Sequence, residues 1–172
     1  MSVDLRTIIR DIPDFPCEGV VFKDITPILH NPDYLRSAID MMTDTLKGID
    51  FDLIAGPESR GFIFGVPVSV AMGKGFIPVR KAGKLPYKTV KKAYDLEYGS
   101  AEIEIHADAV KKGDRVVVVD DLLATGGTSK ALCELIESVG GEVVRLAFLI
   151  ELDFLNGRKV LDGYDVKSLV TF

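Results

Sequence analysis

The run Val116-Val117-Val118-Val119-Asp120-Asp121, continued by Leu122-Leu123-Ala124-Thr125-Gly126-Gly127-Thr128, constrains this chain more than any other stretch. Four consecutive valines suit a strand buried on both faces, which requires helices on either side of a mostly parallel sheet. In an open α/β sheet the C-terminal end of such a strand faces the crevice where ligands bind. Two carboxylates stand at that end. They begin a loop, Asp120 to Thr128, that ends in small residues and opens a helix with apolar positions Ala131, Leu132, Leu135, Ile136 and Val139. Glycines let backbone N–H groups approach an anion, threonines add hydroxyl donors, and a helix start adds partial positive charge. Together these features predict a phosphate cradle. The loop has neither the Gly-Lys-Ser/Thr of a Walker loop nor the Gly-x-Gly-x-x-Gly dinucleotide fingerprint. Carboxylates beside such a cradle accept hydrogen bonds from sugar hydroxyls, so the implied ligand is a ribose 5-phosphate.

The remaining pattern alternates strand and helix. A short helix is expected over Ser2–Asp11, ended by Pro13 and Pro16, then a turn-rich stretch from Phe15 to Pro32. Helical spacing resumes at Leu35, Ile39, Met42 and Leu46 and closes at Gly48. Phe51 to Gly56 reads as a buried strand, followed by a turn through Pro57–Gly61. An apolar helix then runs to Met72, which Pro67 should kink or split. Gly75–Val79 is a second strand. Lys88–Tyr94 and Ser100–His106 read as the arms of a hairpin, the second alternating Ile103 and Ile105 with exposed Glu102, Glu104 and His106. Arg115–Val119, Val143–Leu152 and Val166–Phe172 are further strands. The expectation is one α/β domain over residues 1–172.

A net charge of −5, from 21 basic and 26 acidic residues, argues against a nucleic-acid partner, which needs clustered Lys and Arg. No apolar run reaches the roughly 18 residues that span a bilayer. Met1–Arg10 carries Asp4, Arg6 and Arg10 and no apolar core, so no secretory signal is expected. Cys17 and Cys133 lie far apart in apolar contexts and read as small buried hydrophobes, which suits the reducing cytoplasm. His30 and His106 fall in no usable pattern.

The 116–128 run resembles the motif by which type I phosphoribosyltransferases bind 5-phosphoribosyl 1-pyrophosphate (PRPP). Four other segments resemble the adenine-using branch of that family: Val21–Pro27, Gly56–Phe62, Arg80–Pro86 and Leu96–Gly99. The resemblance runs in order from about Leu5 to Glu151. One departure is Lys23, where an arginine is common.

The resemblance implies a type I fold with an N-terminal hood over about 1–32 and a mobile hairpin flap over about 88–106. It implies transfer of ribose 5-phosphate from PRPP to adenine, giving AMP and pyrophosphate, with Mg²⁺ carried largely by PRPP and no dedicated metal ligands. A homodimer is implied as well. Asp120 and Asp121 would hold the ribose hydroxyls, and Ala124, Thr125, Gly126, Gly127 and Thr128 the 5-phosphate. Glu58, Ser59 and Arg60 would form the pyrophosphate loop, with a non-proline cis peptide near Glu58–Ser59. Arg80, Lys81 and Lys84 would neutralise the leaving pyrophosphate. Glu97 and Tyr98 would sit at the flap tip, Glu97 either as acid/base or as a carboxylate stabilising a cationic sugar. Val21, Phe22 and Lys23 would cover the base, with Phe22 stacking and the backbone reading the adenine edge. Two alternatives stay open: another purine base, or a PRPP-sensing regulator without catalysis.

Overall fold

The computed structural model describes residues 3–95 and 100–172. Its centre is a seven-stranded sheet in the order β5-β6-β4-β3-β7-β8-β9. The strands are β3 (Leu53–Pro57), β4 (Gly75–Lys81), β5 (Thr89–Asp95), β6 (Ser100–His106), β7 (Arg115–Leu123), β8 (Glu142–Glu151) and β9 (Val166–Thr171). β4, β3, β7, β8 and β9 run parallel. β6 pairs antiparallel with β4 and with β5, so the hairpin extends one edge. A separate two-stranded sheet joins β1 (Arg10–Pro13) to β2 (Val21–Asp24).

The valine run explains the layering. Side chains alternate along a strand, so Val116 and Val118 enter one apolar cluster while Val117 and Val119 enter the other. All four are fully buried. Helix α5 (Gly127–Ser138) covers the first face through Ala131, Leu132, Leu135 and Ile136. On the second face lie α1 (Leu5–Ile8), α2 (Thr26–His30), α3 (Pro32–Thr45) and α4 (Arg60–Met72), burying Leu5, Ile28, Ala38, Met42, Phe64 and Val68. Each such side chain contributes roughly 1.5–3 kcal/mol on burial.

Several expectations are corrected. The first helix is one turn, Leu5–Ile8, and Arg10–Pro13 is a strand whose partner β2 emerges from the stretch read as turns. Pro67 does not split α4: the helix runs through it, with Phe64 and Val68 fully buried on either side. β7 extends to Leu123, so Asp120 and Asp121 lie on the strand and not in the loop. Glu104 is buried rather than exposed, because its carboxylate accepts the Lys84 and Leu85 amides at 2.9 Å each. Burial alone would raise its pKa, but the amides of Leu85 and Gly83 and the Thr89 hydroxyl outweigh that and lower it. Cys17 is exposed and only Cys133 is buried. A 3₁₀ turn, Asp153–Leu155, and helix α6 (Gly157–Val160) follow β8 without a clear signal in the sequence. Among the described residues no helix is long and apolar enough to cross a membrane.

Candidate active site

The C-terminal ends of β3 and β7 deliver their following helices, α4 and α5, to one cavity of about 260 Å³. Its walls are the Pro57–Arg60 turn on one side and Asp120, Asp121, Leu122 and Ala124–Ser129 on the other. Both helix starts therefore point unsatisfied backbone N–H groups into the same space. Gly126 is left-handed, with φ +85°, and a Cβ on it would stand 2.7 Å from the Gly157 carbonyl oxygen. Only glycine fits there, and the loop is thereby pressed against the start of α6. Gly61 is equally constrained, since a Cβ would lie 2.7 Å from the Pro57 ring and 3.1 Å from Asp120 Oδ1.

Four charged residues line the cavity, Glu58, Arg60, Asp120 and Asp121. Arg60 Nε sits 3.0 Å from Asp121 Oδ2, with Asp121 almost fully buried and Arg60 40% exposed. Asp120 Oδ1 accepts the Asp121 amide at 2.8 Å. Burial pushes the Asp120 carboxyl well above the usual carboxylate range, and the adjacent Asp121 charge pushes it further. Burial raises Asp121 as well, opposed by Arg60. A cation or hydroxyl donors entering beside this pair would relieve the repulsion.

The 57–60 turn is held from behind. The Glu58–Ser59 peptide is cis, the geometry the resemblance implies. Glu58 accepts bonds from Arg80 Nε and Nη2 at 3.1 and 3.0 Å, from the Lys81 amide at 2.8 Å, and from Lys84 Nζ at 3.4 Å. Burial would raise Glu58, but the Lys81 amide and Arg80 prevail and its carboxyl is lowered. Arg80 and Lys84 thus face Glu58 and do not line the cavity; Lys81 is exposed.

The β1–β2 sheet brings Phe22 toward Arg60, whose guanidinium carbon lies 5.7 Å from the ring centroid. Lys23 turns elsewhere, pairing with Asp11 at 2.6 Å and sitting 3.9 Å from the centre of the Phe172 ring. A larger groove, about 760 Å³, adjoins the first cavity at Thr125 and is lined by Val21, Lys23, Leu152, Phe154, Leu155 and Phe172, among others. The four residues after β8 were missed in the sequence, since no motif marks them; the only signal was a group of large apolar side chains in a segment otherwise polar. Glu97 and Tyr98 lie outside the described residues. The Lys-rich arm β5 is docked on α5: Lys92 pairs with Glu134 at 2.8 Å, and Tyr94 packs against the α5 cluster.

The phosphoribosyl transferase domain family matches residues 24–170. The adenine phosphoribosyltransferase of Thermotoga maritima is 55% identical over 171 residues, 99% of each chain. A crystal structure of adenine phosphoribosyltransferase from Thermoanaerobacter pseudethanolicus superposes with a TM-score of 0.96 at 55% identity, covering 98% of both chains. That from Saccharomyces cerevisiae, complexed with an imino-altritol bisphosphate and adenine, gives 0.90 at 41% identity over 96% of each.

Proposed function

Since the chain belongs to the phosphoribosyl transferase family, we propose that it is an adenine phosphoribosyltransferase, forming AMP and pyrophosphate from adenine and PRPP. The observation that carries this reading is the polar cavity with the hood strand beside it, where the Phe22 ring stands 5.7 Å from the Arg60 guanidinium. The cavity suits a ribose phosphate, and the flat apolar face of Phe22 suits a base. A purine nucleotide has the same two parts.

The whole chain, 1–172, acts as one catalytic unit with a hood over about 1–32 and a flap over about 88–106. Ala124–Thr128 take the 5-phosphate through backbone N–H groups and hydroxyls. Asp120 and Asp121 accept the ribose hydroxyls. Ser59 and Arg60 take the pyrophosphate, and the fork of Arg60 suits two phosphate oxygens. Glu58 serves that loop through Arg80, Lys84 and the Lys81 amide, and exposed Lys81 adds positive charge beside it. Phe22 stacks on the base while backbone groups of Val21 and Lys23 read its edge. Glu97 serves either as acid/base or as a carboxylate stabilising the cationic sugar, together with Tyr98.

As the C1–pyrophosphate bond stretches, the sugar acquires oxocarbenium character and the leaving group gains charge. Mg²⁺ arriving with PRPP would lie beside Asp120 and Asp121 and would supply positive charge to offset that of the leaving group. Asp120, raised in pKa by burial and by the Asp121 charge, and Asp121, raised by burial, fit a site where a cation arrives with the substrate. Adenine attacks the opposite face, with inversion at C1. The protein contributes position, charge stabilisation and exclusion of water.

Two broader features belong to the same reading. A homodimer is supported by α4, which has no charged residue from Gly61 to Met72 yet leaves Val66 and Val70 41% and 76% exposed. A cytoplasmic setting is supported by two free thiols, one of them on the surface.

The test is a base panel. Purified protein with PRPP and Mg²⁺ is offered adenine, hypoxanthine, guanine or xanthine, and nucleotide and pyrophosphate are quantified. AMP and pyrophosphate from adenine alone is the expected result. A 6-oxopurine product would move the base assignment, and no product with any base despite PRPP binding would identify a sensor.

A further inference from the structure

We infer that Tyr94, on the flap arm β5, is a positioning residue of the phosphate cup: its phenol sets the Thr128 hydroxyl to donate to bound phosphate. The inference rests on reading Ala124–Thr128 as that cup. Tyr94 OH and Thr128 Oγ1 are 3.2 Å apart. Thr128 is the second residue of α5 and lines the cavity. The Tyr94 ring is packed against the cluster that contains the inner face of α5. Two residues earlier, and so on the same side of β5, Lys92 pairs with Glu134 of α5. The flap arm is therefore tied to the phosphate-binding helix at two points, and one of those ties ends on a residue of the cup itself.

The chemistry of two hydroxyls makes this tie directional. Each carries one proton and two lone pairs, so only one of the pair donates to the other at a time. Without an anion beside it, either hydroxyl can be the donor across the 3.2 Å between them. A dianionic phosphate presents acceptors only. When it enters, Thr128 turns its proton to the phosphate, and Tyr94 becomes the donor to Thr128 Oγ1. The result is a chain, Tyr94 O–H to Thr128 O–H to phosphate, in which each bond polarises the next. No heavy atom has to move. Filling the cup thus strengthens the attachment of the flap's base, and the flap's base in turn strengthens the cup, as linkage requires.

The experiment is a double-mutant cycle of Tyr94→Phe and Thr128→Val. Phenylalanine keeps the ring and its packing and removes only the hydroxyl. Affinity for ribose 5-phosphate is measured by calorimetry, alongside KM for PRPP, KM for adenine, kcat and the unfolding midpoint. Tyr94→Phe is expected to weaken ribose 5-phosphate binding and raise KM for PRPP about 3- to 10-fold, the scale of one hydrogen bond. The unfolding midpoint, kcat and KM for adenine should hold within error or about twofold. In the Thr128→Val background, adding Tyr94→Phe should change affinity less than about twofold. The proposal is overturned if Tyr94→Phe leaves ribose 5-phosphate affinity unchanged, if its full effect persists without the Thr128 hydroxyl, or if kcat alone falls. Should Thr128→Val itself leave ribose 5-phosphate affinity unchanged, the cup reading fails, and the inference with it.

Discussion

Arg60 Nε stands 3.0 Å from Asp121 Oδ2, joining the first residue of α4 to the end of β7 across the floor of the cavity. The carboxylate is buried, and the guanidinium keeps much of its surface open. The pair therefore holds the cation in place while leaving donors free for an anionic ligand. Arg60→Ala should lower kcat/KM for PRPP by 100-fold or more, about 2.7 kcal/mol or above of transition-state stabilisation. Arg60→Lys should recover only part of that loss, because an ammonium has no fork. Steady-state kinetics of the two variants check this, and equal activity of Arg60→Lys and wild type would show that the fork is not used.

Asp120 gives a pH-dependent prediction. Its folded-state pKa is raised, by burial first and by Asp121 second. A raised carboxyl favours the protonated folded state, so its stabilising contribution is present below the unfolded pKa and is lost as pH rises through the folded value. At neutral pH the ionised form thus costs stability. Asp120→Asn should raise the unfolding midpoint by roughly 2–4 °C, about 1 kcal/mol in a chain of this size. That gain should vanish as pH falls below the ordinary value of 3.8. The same variant should lose most of its affinity for PRPP. Thermal scans from pH 3 to 8 with PRPP titrations read both effects.

Gly157 lies outside the cavity yet controls it. A Cβ there would overlap the Ala124 carbonyl oxygen and stand 2.9 Å from Leu123 Cδ1. Since the obstruction is backbone, the phosphate loop itself must yield, at a cost of about 1–3 kcal/mol. Gly157→Ala should raise KM for PRPP about tenfold, with a smaller change in KM for adenine. An unchanged KM for PRPP would mean that α6 does not buttress the loop.

The exposed face of α4 predicts the assembly. Val70 is 76% exposed on a helix with no charged residue from Gly61 to Met72. Val70→Asp should convert a dimer into a monomer, as read by sedimentation velocity. A wild-type chain that sediments as a monomer at micromolar concentration would remove the dimer from the account.

How far the sequence foretells these features depends on whether a residue's neighbours in space are its neighbours in the chain. The valine run, the small-residue loop and the start of α5 are local, and all three stand where the pattern places them. Asp120 and Asp121 follow the apolar run and so read as the start of a loop, yet pairing of Asp120 with Phe148 on β8 extends the strand through them. Glu104 fits an exposed alternation, and only the Lys84 and Leu85 amides, 20 and 19 residues away, bury it. Arg80 and Lys84 form a basic cluster in the sequence, but Glu58 is what they face in space. Leu152 and Phe172 meet the hood only through the fold, and no spacing announces it.

The most direct test is a crystal structure with AMP, because one molecule has to reach both the phosphate loop and the hood. The expected structure has the 5-phosphate on the Ala124–Thr128 amides, the ribose hydroxyls on Asp120 and Asp121, and the adenine ring against Phe22. A phosphate seated against Arg60 with the base away from Phe22 would contradict this reading.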